Sequence, residues 1–112
     1  MKKLFIPISA LLFSNIAFAD YHVEAKFYEN NQLISSPNLV VKPQTEALVN
    51  VENDYKFSVL AKEVNSNSVH LNLNHTRNNS RLSLDASVLL NTETTFNVNG
   101  TLVSVLVSKV ES

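Results

Sequence analysis

The 112-residue chain has no cysteine, no tryptophan, one glycine and three prolines. Without cysteine it can form no disulfide staple, no thiolate metal site and no lipid attachment at a cysteine. With one glycine it has little material for oxyanion loops or strained nucleophile turns, which draw on several. Charge is scarce too: 17% of residues are charged and the formal net charge is −1. The Lys and Arg are dispersed, so neither a nucleic-acid-binding surface nor a polyanion is expected.

The longest apolar stretch lies at the start. Met1-Lys2-Lys3 precedes Leu4-Phe5-Ile6-Pro7-Ile8-Ser9-Ala10-Leu11-Leu12-Phe13, and Ala17-Phe18-Ala19 then supplies small residues two positions apart. These are the three regions of a secretory signal, with cleavage expected between Ala19 and Asp20. The apolar run is shorter than the roughly 20 residues a spanning helix needs, and no later stretch is long enough, so no integral membrane segment is expected after cleavage. The short leader and paired lysines look bacterial and predict a periplasmic chain, or alternatively a secreted one. Residues 1–19 are thus read as a signal peptide and residues 20–112 as a single β domain. Two of the nine Lys/Arg leave with the leader, so seven basic residues face ten acidic ones. In a disulfide-permissive compartment, a cysteine-free domain must hold together through its core.

From Asp20 onward the hydropathy period is two, the strand period, and no segment shows capped helical spacing. Tyr21, Val23, Ala25 and Phe27 alternate with His22, Glu24, Lys26 and Tyr28 up to Asn30-Asn31, a pair suited to a tight hairpin turn. Short strands follow at Gln32–Ser35 and around Leu39-Val40-Val41, limited by Pro37 and Pro43. Ala47, Val49 and Val51 lead through a turn to Tyr55, Phe57, Val59 and Ala61. Val69, Leu71 and Leu73 then oppose His70, Asn72 and Asn74. If Asn78-Asn79 is a two-residue loop, Leu73 meets Leu84 and Leu71 meets Ala86, so the apolar faces coincide. Asn99-Gly100 between Phe96-Asn97-Val98 and Val103, Val105 and Val107 predicts a type I′ hairpin with Phe96 opposite Val103. About eight short strands at spacings near ten residues predict an all-β fold, an antiparallel sandwich or a partly open barrel.

The last strand carries a second apolar face, Leu102, Leu106 and Val110. Such a face is either covered inside the sandwich, the ordinary case, or offered to a partner. Tyr28 is the aromatic that alternation places on a polar face beside a turn, where it can contribute to partner or sugar binding. Together these residues form the candidate partner-binding set.

Catalytic constellations are missing. Ser80, Ser83, His70, His75 and Asp85 can be combined into a triad on paper, yet the reading assigns them to turns and solvent-facing positions of a hairpin. Acidic residues are scattered, so no carboxylate pair is expected. One metal site is conceivable. After cleavage the chain begins Asp20-Tyr21-His22, and a free amine, two deprotonated amides and the imidazole can close a square-planar shell for Cu(II) or Ni(II). These residues resemble the amino-terminal metal-binding motif of serum albumins, sharing Asp first and His third. His70 and His75 lie five apart and so fall on opposite faces of a strand.

From Ile34 the order of segments resembles part of the C-terminal β-domain of bacterial secretins, over residues 34–100. The resemblance is carried by Ser35-Ser36-Pro37-Asn38-Leu39-Val40-Val41-Lys42-Pro43, the alternating Ala47–Val51, the Tyr-containing 55–59 and Thr94-Thr95-Phe96-Asn97-Val98-Asn99-Gly100. It implies a small stand-alone envelope domain of related strand order, without implying a pore. The expected function is non-enzymatic binding of another envelope protein. Metal binding through Asp20-Tyr21-His22 and inhibition of a secreted enzyme through a loop such as Arg77-Asn78-Asn79 are the alternatives.

Overall fold

A computed structural model describes residues 20–110, and every regular element in them is a strand. The nine strands are β1 Asp20–Glu29, β2 Gln32–Ser35, β3 Asn38–Val41, β4 Ala47–Val51, β5 Tyr55–Asn65, β6 Ser68–Arg77, β7 Ser80–Leu89, β8 Thr94–Val98 and β9 Thr101–Val110. The expected signal peptide lies outside the described residues. No described helix is long and apolar enough to cross a membrane.

The strands form two antiparallel sheets, a sandwich rather than a closed barrel. The first runs β2-β1-β9-β8, with β3 sharing the β1 edge with β2; the second is the meander β4-β5-β6-β7. The chain leaves the first sheet after β3 and returns to it at β8. β9 then slots between β8 and β1, pairing from Asp20↔Val110 to Tyr28↔Leu102.

Asparagine makes the turns. Asn30 and Asn31 have φ of 52° and 65°, Asn78 and Asn79 52° and 63°, and Asn99 and Gly100 51° and 90°. Both central residues of a type I′ hairpin need positive φ, and after glycine Asn is among the residues that reach it most readily. The expected registers follow: Leu73↔Leu84 and Leu71↔Ala86 across one hairpin, Phe96↔Val103 across the other. Gln44 and Asn91, at φ 61° and 62°, mark the two crossovers. Each donates its backbone N–H to the sheet being entered, Gln44 to Ala61 O and Asn91 to Val107 O, both at 2.7 Å.

The core lies between the sheets. Val23, Ala25, Phe27, Val103, Val105 and Val107 of the first sheet meet Phe57, Val59, Ala61, Val69, Leu71 and Leu73 of the second, all essentially without solvent exposure. Phe27 and Phe57 join the layers edge to face, with centroids 5.9 Å apart.

Among the described residues the last strand is covered on one side only. Leu102 and Val110 point outward at 37% exposure, and Leu106 is half-buried. The ordinary expectation of double burial fails because β9 lies within one sheet of a two-layer fold, so its even-numbered residues have no third layer to meet. The one well-buried outward residue is Ser104, whose hydroxyl donates to Glu93 Oε2 at 2.5 Å.

Candidate functional site

The outer face of the first sheet carries an apolar row that crosses three strands. The Asn30-Asn31 turn sets it up, pairing Glu29 with Gln32 and Tyr28 with Leu33; beyond these Phe27 pairs with Ser35, leaving Ile34 as the extra residue of a bulge. Ser35 therefore points inward with Phe27, while Leu33 points outward beside Tyr28. Tyr28 in turn faces Leu102 across β1 and β9. Leu33 is 53% exposed. The row Leu33, Tyr28, Leu102 thus combines two residues the sequence singles out with a third that the Asn30-Asn31 turn sets opposite Tyr28.

A groove continues from this row. Tyr28, Asn31, Glu93, Thr95, Leu102 and Ser104 line a depression of about 370 Å³. Its neighbour of about 140 Å³ is lined by Glu24, Lys26, Glu93, Ser104 and Leu106. Glu93 and Ser104 belong to both, so the crossover from β7 to β8 forms the shared wall. Val110 lies at the far end of β9, opposite Asp20 and away from the groove. The face combines apolar footing with carboxylates at Asp20, Glu24 and Glu93 against one lysine, Lys26, a surface suited to holding an apolar side chain flanked by positive charge.

The histidines divide as their parity requires, with a correction for His75. It is not solvent-facing: it continues the inward face of Val69, Leu71 and Leu73 and is 4% exposed. The turn falls at Asn78-Asn79, so β6 carries its alternation unbroken through His75 to Arg77 and the ring takes the inward parity of Leu73. His75 shares a 2.8 Å hydrogen bond from Nε2 with Ser35 Oγ and stacks on Phe27 at 4.0 Å between centroids. Tyr55 lies near-parallel to it at 5.4 Å. Burial pushes the His75 pKa below its ordinary value and Arg77 adds to this, while Glu29 and Asp54 act in the opposite sense. Burial raises the Tyr55 pKa, assisted by Asp54.

His70 does reach Asp85, bonding it through Nε2, and its Nδ1 lies 3.1 Å from Ser87 Oγ. The trio stands on the open outer face of the second sheet, with His70 and Asp85 side chains 41% and 64% exposed. A flat, solvated sheet face neither encloses a substrate nor excludes water. Ser83 instead donates to Asn74 Oδ1 at 2.7 Å.

Asp20, Tyr21 and His22 all lie within β1. Tyr21 is buried, and Tyr21 and His22 pair with Val41 and Val40 on one side and Lys109 and Ser108 on the other. The His22 ring bonds Asn38 Oδ1 through Nε2, and its Nδ1 lies 3.6 Å from Glu24 Oε2. Amides of successive strand residues point to opposite neighbours, so closing a planar four-nitrogen shell takes these three residues out of the ladder. No group of three or more His, Asp or Glu among the described residues is arranged to hold a metal.

No protein-family model matches the chain, and neither a curated protein nor a solved structure does.

Proposed function

We propose that the protein is a non-enzymatic binding domain of the bacterial envelope, periplasmic or secreted, that grips another envelope protein with the outer face of its first sheet. The observation that carries this reading is the row Leu33, Tyr28, Leu102, continuous with the groove walled by Glu93. The partner presents an apolar side chain to Tyr28 and Leu102, flanked by basic groups that meet Glu93 and Glu24. The leader, the secretin-like order of segments and the open arrangement of the only His–Asp–Ser trio noted among the described residues support the location and the non-enzymatic role.

A photo-reactive amino acid at position 102, in the protein expressed in its native envelope, tests this. A discrete partner is expected to cross-link from position 102 and not from Asn72, which points outward from the second sheet. Leu102→Asp is expected to fold normally and lose the partner, whereas Val105→Asp, buried at 0% exposure, unfolds the domain. Equal cross-linking from both positions, or full capture by Leu102→Asp, overturns the reading.

A further inference from the structure

At the end of the sandwich bearing the Asn30-Asn31, Asn78-Asn79 and Asn99-Gly100 turns, the inward face changes chemistry. On β6 the inward run of Val69, Leu71 and Leu73 gives way to His75 and Arg77. On β1 the run ending in Phe27 gives way to Glu29, and on β9 Thr101 precedes Val103. Glu29, His75, Arg77, Ser80, Leu82 and Thr101 line, together with Ile34 at the β2 bulge, a cavity of about 150 Å³ between the sheets. Its floor is the 4%-exposed His75 ring, held on Phe27 and tied to Ser35.

The rim carries opposite charges on opposite walls. Arg77, from the second sheet, gives only its Nε–H to Asp54, at 3.5 Å, so its two terminal nitrogens remain available. Glu29, from the first sheet, makes no ion pair among the described residues.

We propose that this pocket binds a small zwitterionic α-amino acid, its carboxylate on Arg77 and its ammonium group on Glu29. A guanidinium fork matches a carboxylate, and an ammonium group donates to a carboxylate in a charge-assisted bond. A simple anion would face Glu29 and Asp54, and a simple amine would face Arg77. A ligand carrying both charges satisfies both walls. Size limits the ligand to one small molecule: at roughly 30 Å³ per water the cavity has the volume of about five waters. The hydroxyls of Ser80 and Thr101 supply further polar partners above the His75 floor. This site lies inside the end of the sandwich and is independent of the partner-binding face.

Amide chemical-shift titration of the leader-free protein tests the assignment with four probes: glycine, alanine, propionate and ethylamine. Glycine and alanine are expected to produce saturable shifts at His75, Asn78, Ser80 and Thr101. Propionate and ethylamine, each lacking one charge, are expected to bind at least about tenfold more weakly. Arg77→Gln and Glu29→Gln, both at the rim, are expected to weaken glycine by a similar factor with shifts elsewhere in the spectrum unchanged. Leu82→Phe, which fills the cavity from its wall, is expected to abolish binding in a folded domain. Propionate binding as tightly as alanine would overturn the zwitterion assignment, as would unchanged glycine affinity in Glu29→Gln. The absence of saturable shifts with every probe would overturn the site itself.

Discussion

Mild acid should weaken this domain through one side chain. His75 sits among Phe27, Tyr55 and Ser35, with Arg77, Glu29 and Asp54 as the charges that act on it. Its folded pKa lies below the ordinary value of 6.5 because burial strips water from the imidazolium and Arg77 repels it. Above about pH 6.5 the ring is neutral in both folded and unfolded chains, and the full stability is present. As pH falls below that value the unfolded chain takes up a proton that the folded chain refuses, so stability drops until the folded pKa is reached. One proton gives a slope of at most about 1.4 kcal/mol per pH unit, hence at most about 2 kcal/mol between pH 6.5 and 5. For a domain of this length each kcal/mol shifts Tm by about 4–8 °C. Urea or thermal unfolding of the leader-free protein across that window measures the loss. His75→Gln, neutral throughout and able to bond Ser35, should remove this part of the slope. An unchanged slope in His75→Gln would refute the assignment of acid sensitivity to the buried ring.

Two further predictions concern single contacts. Ser35→Ala leaves the buried His75 Nε2 without its partner and is expected to cost about 1–3 kcal/mol, read as a lower urea midpoint with an unchanged m-value. Asn79, at φ 63°, is expected to lose about 1–2 kcal/mol as Asn79→Ala and to stay within a few tenths as Asn79→Gly, because only the former meets the left-handed steric penalty. Equal stability of the two Asn79 variants would remove backbone conformation as the reason for asparagine in these turns.

Local pattern carried much of the fold. The two hairpin registers were readable because a two-residue turn fixes pairing arithmetically, and only one register lets the apolar faces of Leu71, Leu73, Leu84 and Ala86 coincide. Strand-breaking prolines likewise bounded the short strands of the first-sheet edge. Leu33 obeys the same turn arithmetic, since Asn30-Asn31 pairs it with Tyr28, whereas the inward position of Ser35 is hidden because the bulge at Ile34 shifts the register there. His75 shares the parity of Leu71 and Leu73, and that signal was available. The Asn78-Asn79 turn falls where expected, so nothing interrupts that parity before Arg77.

The sequence by itself determined an all-β chain, the asparagine turns, most inward positions and the absence of any cysteine staple. These follow from steric rules acting between near neighbours. The tertiary structure alone decided that β9 slots between β1 and β8, that its Leu102 face has no covering layer among the described residues, and that Ser35 meets His75 across 40 positions of chain. It also placed Glu29 and Arg77 on facing walls of one cavity. Those outcomes depend on which sheets stack and in what order. The physical reason is that contact between distant strands is set by closing the whole apolar core, and no local period encodes it.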